Sequence, residues 1–145
     1  MPGITVGVDG SSHGQAALEW AIKEAGLRKA PLTVIAVHQV AGNHWTGNPE
    51  VYPADTPEKE KTRQAAQDAT QKAVDAAGEP KPSSVTVRAV SGIAAQELIN
   101  ASADSDLVVV GSRGGGGFAK LMLGSVSSKV VAHAACPVVV LPADS

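Results

Sequence analysis

Cysteine occurs once in this chain, at position 136. A single thiol excludes an internal disulfide and any thiolate cluster for zinc. Its setting, Ala134-Ala135-Cys136-Pro137-Val138, lies between a helical and a strand-like stretch, where a small apolar side chain is expected to pack. Aromatic residues make up only 3% of the chain, so it has no stacking platform for single-stranded nucleic acid. The twelve Lys and Arg are scattered and the net charge is −2, which leaves no basic footprint for a nucleic-acid partner. No apolar run approaches the roughly 18 residues that a membrane span requires. The start, Met1-Pro2-Gly3-Ile4-Thr5-Val6, has no basic segment leading into a long apolar one, so no signal peptide is expected. These absences together predict a soluble cytoplasmic protein with neither nucleic acid nor membrane as partner.

What is abundant is Val, Ala and Gly. The 145 residues suit one domain, 1–145, with 43% apolar content, enough to bury a core. Valine-rich runs with few aromatics favour parallel strands covered on both faces and closely packed helices. In order, Ile4–Val8 predicts a first strand, ending at Asp9-Gly10. Ser11 or Ser12 then caps a helix whose apolar stripe is Ala17, Leu18, Ala21, Ile22 and Ala25, with Gly26 and Pro31 bracketing its exit. Leu32–Val37 predicts the second strand, closing at His38-Gln39, and a right-handed crossover makes the pair parallel.

Residues 41–55 carry two Pro, two Gly and two Asn without periodicity and are expected to form an exposed loop. Trp45 and Tyr52 would pin it to the body or cover a bound base. Thr56-Pro57-Glu58 is a helix start: a capping hydroxyl, proline at the first helical position, then an acid. That helix should stop at Gly78, burying Ala65, Ala66, Ala69, Ala73, Val74 and Ala76 while Lys59, Lys61, Arg63 and Lys72 face water. Val85–Val90 predicts a third strand. A short helix follows, with Ile93, Ala94, Leu98 and Ile99 inward. Leu107–Val110 predicts a fourth, fully buried strand, Val126–Ala135 a fourth helix, and Pro137–Leu141 a fifth strand. Strand and helix alternate throughout, as in a doubly wound α/β domain.

The stretch most suggestive of function lies between the fourth strand and the fourth helix, from Gly111 to Ser127. Glycines let the backbone approach a ligand closely, and a helix start offers unpaired N–H groups and a positive dipole end. Strand, glycine turns and helix start together make a phosphate cradle. In open parallel sheets such ligands sit beyond the carboxyl ends of the strands, where the winding reverses. Asp9-Gly10-Ser11 and the glycine stretch would then line one crevice. A P-loop is excluded because no lysine stands between Gly124 and Ser125. The spacing Gly7, Gly10, Gly14 does not match a dinucleotide fingerprint. A receiver domain would end its third strand on an aspartate, whereas this one ends Ala89-Val90-Ser91. Plainer readings compete at three places: Gly115-Gly116-Gly117 as a connector, Asp9 as a helix cap, and Arg113 as a solvated side chain rather than a phosphate partner. His13, His38, His44 and His133 form no motif and are expected to be structural, His133 on the back of the fourth helix.

Gly111, two residues, Gly114, nine residues, then Gly124-Ser125 resembles the nucleotide-binding signature of the universal stress protein family. Val6-Gly7-Val8-Asp9-Gly10-Ser11 resembles the family's first strand and acidic turn, His38 the histidine that ends its second strand, and Cys136–Leu141 its closing strand. The resemblance implies a five-stranded parallel sheet in order 3-2-1-4-5 with four helices, homodimers through the last strand, and a signature-bearing branch that binds ATP, alone or with Mg2+. By position it assigns Gly7, Val8 and Asp9 to the adenosine and Gln39 to the base. Val110, Gly111 and Gly114 would flank the ribose and inner phosphates, and Gly124, Ser125, Val126 and Ser127 the outer ones. Residues 41–55 match no pattern of the family. The leading expectation is a nucleotide-binding regulatory protein of the stress response; the alternative is a slow ATPase using the same pocket, with no catalytic residue or metal ligand assigned. The last strand, Val138–Leu141, is apolar and expected at a sheet edge, where a second copy would cover it.

Overall fold

The computed structural model describes residues 3–8, 12–38, 57–91, 93–112 and 125–142. Their elements are β1 (Gly3–Val8), α1 (Ser12–Arg28), β2 (Pro31–His38), α2 (Pro57–Ala77), β3 (Ser84–Ser91), α3 (Ala94–Ser102), β4 (Ser105–Gly111), α4 (Ser125–His133) and β5 (Val138–Leu141). All strands are parallel in the order β3-β2-β1-β4-β5, which is the expected doubly wound fold with four helices.

Burial on both faces explains why β4 reads as an unbroken apolar run rather than an alternating one. Leu107 and Val109 join Ile4, Val6, Leu32 and Val34 under α1 and α2. Val108 and Val110 point the other way, to Ala95 and Leu98 of α3 and Val130 of α4. Alpha-1 buries the stripe that its spacing predicts: Ala17, Leu18, Ala21, Ile22 and Ala25 are each at most 2% exposed.

Several expectations need correction. The second helix buries Ala66, Thr70 and Ala73, while Ala65 and Ala76 are exposed. Its inner face therefore runs one position out of phase with part of the alanine pattern, because alanine is equally at home on either side of a helix. Ile93 stands at the N-cap of α3 and is 69% exposed, leaving Ala95, Leu98 and Ser102 as the buried side. Gly26 and Pro31 do bracket the exit of α1, though Gly26 is not the turning residue. The helix passes through it to Arg28, and Lys29 takes the left-handed turn at φ 54°. There the N–H of Ala30 bonds the carbonyl of Ala25 at 2.9 Å and that of Lys29 bonds Gly26 at 3.1 Å, the paired bonds of a Schellman closure. Gly26 is buried instead, and a Cβ on it would overlap the Pro80 carbonyl oxygen. Gly78, by contrast, is the stop of α2, at φ 70°.

Of the expected solvated cations on α2, Lys61 and Lys72 are exposed, and Arg63 pairs with Glu60 in its own helix at 2.6 Å. Cys136 is half-buried against the α3–α4 side of the core, in keeping with a packing role. No helix among the described residues is long and apolar enough to cross a membrane.

Candidate functional site

The winding reverses at one place in this sheet. From β1 the chain steps outward to β2 and β3, then returns to build β4 and β5 on the other side of β1. The reversal lies between β1 and β4, which pair directly, Thr5 with Val108 and Val6 with Val109. Beyond the Val6–Val109 pair both strands run on, to Val8 and to Gly111. The two loops expected to share a crevice thus leave from adjacent strand ends, as a site at a topological switch point requires.

Seven of the twelve expected site residues fall in the described residues. Gly7 and Val8 close β1, Val110 and Gly111 close β4, and Ser125, Val126 and Ser127 open α4. Asp9, Gln39, Arg113, Gly114 and Gly124 lie outside the described residues, as do residues 41–55 with Trp45 and Tyr52, and Gly115–Gly117. Gly7 has a packing reason of its own: a Cβ there would stand 2.8 Å from the Leu98 Cδ1, so its bareness seats α3 on the sheet. The Val110 side chain is buried in the core at 3% exposure, so it has main chain alone to offer a ligand, and the partly buried Val126 packs against the same cluster.

Three hydrogen-bonding groups meet where β4 ends. The N–H of Ser112 donates to the carbonyl of Leu141 in β5 at 2.7 Å. The Ser112 carbonyl accepts from the hydroxyl of Ser127, in the first turn of α4, at 2.9 Å. Both serines are buried, at 6% and 2% exposure, so this bond is shielded from water. The Ser112 hydroxyl is buried without a hydrogen-bond partner among the described residues. At the opposite end of the sheet buried hydroxyls are matched: Thr5 Oγ1 and Ser105 Oγ lie 2.7 Å apart, and Ser102 accepts from the Ala135 N–H at 2.8 Å while donating to the Ile99 carbonyl. An unmatched hydroxyl therefore marks the carboxyl end of β4, since buried polar groups ordinarily find partners. Sequence reading passed over Ser112 because it sought glycines there. The signal available was a small polar residue between a buried valine strand and Arg113.

The described part of this end holds backbone and hydroxyl groups, with no charged side chain on Gly7, Val8, Val110–Ser112 or Ser125–Ser127. Among the described residues, no three or more His, Cys, Asp or Glu converge as a metal site would need. A separate open groove of about 500 Å³ lies between α3 and α4, lined by Ile93, Ala95, Gln96, Ile99, Lys129 and His133. None of the described site residues lines it, and His133, on its wall, is exposed.

Comparison with known proteins bears on this arrangement. The sequence model of the Universal stress protein family matches residues 2–142. The chain belongs to the universal stress protein family. A universal stress protein of Mycobacterium tuberculosis is 37% identical over 144 residues, covering 98% of this chain but 48% of that protein. The chain thus spans about half the length of the curated relatives it matches. Among solved structures, universal stress protein UspA from Lactobacillus plantarum has a TM-score of 0.72 at 25% identity, covering 97% of both chains. A universal stress protein solved in complex with cAMP has a TM-score of 0.65 at 22% identity, covering 97% of this chain and 96% of its own. Another, from Archaeoglobus fulgidus in complex with dAMP, has a TM-score of 0.60 at 21% identity, covering 97% of both. These last two likenesses are likenesses of fold, and the sheet order of this family member agrees with them.

Proposed function

We propose that this universal stress protein family member is an adenine-nucleotide-binding regulatory protein of the stress response, acting in the cytoplasm as a homodimer of the 1–145 domain, and that its nucleotide is ATP. The observation that carries the reading is the switch point between β1 and β4, with the start of α4 bonded back to the end of β4. An α-helix leaves its first N–H groups without intrahelical partners, and these, with the positive dipole end, favour an anion. The unmatched Ser112 hydroxyl adds a donor at the same strand end. A triphosphate supplies acceptors, so the donors present fit the group. The cAMP and dAMP complexes of structural neighbours support an adenine nucleotide as the ligand class.

In this reading Asp9 receives hydrogen bonds from the ribose or the adenine amino group, with Gly7 and Val8 beside the adenosine and the Gln39 main chain at the base. Val110, Gly111 and Gly114 flank the ribose and inner phosphates, and Arg113 offsets phosphate charge. The main chain of Gly124, Ser125, Val126 and Ser127 meets the outer phosphates, with or without Mg2+ on them. ATP contributes the ligand charge by which occupancy would be read at the dimer surface.

The test is direct. Purified protein is denatured and the supernatant analysed by mass spectrometry, and nucleotide-free protein is titrated calorimetrically with ATP, ADP, AMP and cAMP. Co-purified adenine nucleotide, or saturable ATP binding with one site per chain, is expected. An empty supernatant together with no binding in the titration overturns the reading.

A further inference from the structure

We propose that Ser127 is a positioning residue: its hydroxyl straps the first turn of α4 to the end of β4 and sets the helix start for the ligand without touching the ligand itself. The inference rests on the nucleotide-binding reading for its functional consequence, and on geometry alone for the strap. A phosphate oxygen at neutral pH accepts hydrogen bonds, so a hydroxyl that serves phosphate must give it a proton. A serine hydroxyl has one proton to give. At Ser127 that proton goes to the Ser112 carbonyl at 2.9 Å, and the side chain is 2% exposed. The Ser127 hydroxyl is thus committed to the protein, and through this bond it decides where the first turn of α4 stands.

The strap joins three elements. Through Ser112 the first turn of α4 connects to β4, and through the Ser112 N–H to the Leu141 carbonyl of β5. The strapped residues stand fifteen positions apart in sequence, so the bond fixes the separation of the two chain ends that enter and leave the glycine stretch. Val126 and Val130 pack the start of α4 against the core, and the strap adds a directional bond to that packing. Preorganised donors bind better because the cost of ordering them is met on folding rather than on binding.

The experiment compares Ser127→Thr with Ser127→Val, two side chains of one shape that differ in the hydroxyl, beside Ser127→Ala. Binding of ATP and AMP is measured by calorimetry, and amide hydrogen exchange is followed on nucleotide-free protein. The valine variant should bind ATP about tenfold more weakly than the threonine variant, the scale of one net hydrogen bond, while their AMP affinities agree within about twofold, because AMP does not reach the outer-phosphate donors. A general loss of stability would not separate the two ligands. In the free protein, exchange should quicken in the valine and alanine variants at Ser112, and at Lys129 and Val130, whose N–H groups close the first turn of α4. Equal ATP affinity for the threonine and valine variants overturns the proposal. So does weaker ATP binding with unchanged exchange in the free protein, since the hydroxyl would then act on the ligand directly. If the wild-type protein binds neither nucleotide, the functional reading fails while the exchange comparison still decides whether the strap exists.

Discussion

Thr70 and Cys136 show how single side chains report on their surroundings. Thr70 sits in the middle of α2 at 1% exposure, and its hydroxyl has no hydrogen-bond partner among the described residues. A buried unpaired hydroxyl costs on the order of 1–3 kcal/mol, while Val and Thr share a shape and similar helix propensities. Thr70→Val should therefore raise stability by about 1 kcal/mol in urea unfolding, with an unchanged denaturant slope; a destabilised variant would mean that the hydroxyl is partnered in solution. At Cys136, burial pushes the thiol above its ordinary range, a backbone hydrogen bond at Val108 pulls the other way, and the Asp106 carboxylate raises it further. Since the thiolate is the nucleophile, alkylation by iodoacetamide should be slower for folded than for urea-unfolded protein at mildly alkaline pH. The sign for stability follows: the native state holds this proton more tightly, so its contribution is present below the unfolded thiol's range and is lost as pH rises through the folded one. Cys136→Ala should flatten that alkaline decline, and an unaltered pH profile would count against the shift.

Among the elements, α1 sets local preference against tertiary contact most sharply. In an exposed helix interior, Gly→Ala stabilises by about 1 kcal/mol. At Gly26 a Cβ would meet the Pro80 carbonyl oxygen, which is backbone and cannot rotate away. Overpacking of this kind costs typically about 1–3 kcal/mol, so Gly26→Ala should lose the usual gain and come out destabilised by up to about 2 kcal/mol in chemical denaturation, and a stabilised variant would show that the 80s segment yields. The same residue shows what the sequence conceals. A glycine near the end of an apolar stripe has the pattern of a stop, and only the distant Pro80 reveals it as a spacer; Lys29, the residue that does turn, carries no local mark. Beta-4 was legible because Leu107–Val110 has one explanation, burial on both faces, and the helix stripe of α1 was legible because 3.6-residue spacing survives folding. The serines at the site were half legible. Ser127, at a helix start, follows from pattern and reads as a ligand residue until the geometry gives its hydroxyl to the protein, while Ser112 goes unnoticed because the Ser127–Ser112 bond joins residues that pattern treats independently.

For the molecule as a whole, assembly turns on β5. The carbonyls of Pro137 and Leu141 accept from Val108 of β4 and from Ser112 just past its end, so by alternation in a parallel pair the N–H and C=O groups of Val138 and Val140 point away from the sheet. Among the described strands these form the outer edge of the sheet, on a four-residue strand whose valines are only half-buried in one copy. An apolar edge with unpaired backbone invites a partner strand. The curated relatives are about twice as long as this chain, and a homodimer paired through β5 would present two such units together. Val140→Pro removes one outward N–H while keeping an apolar side chain over the α3–α4 core. In sedimentation equilibrium the wild-type protein should be dimeric and the variant monomeric at the same concentration, with the far-ultraviolet spectrum of the fold retained. The melting temperature should rise with protein concentration for the wild type and be flat for the variant, because association stabilises only the folded partner. A monomeric wild type, or a Val140→Pro dimer as tight as the original, would move the interface away from this edge.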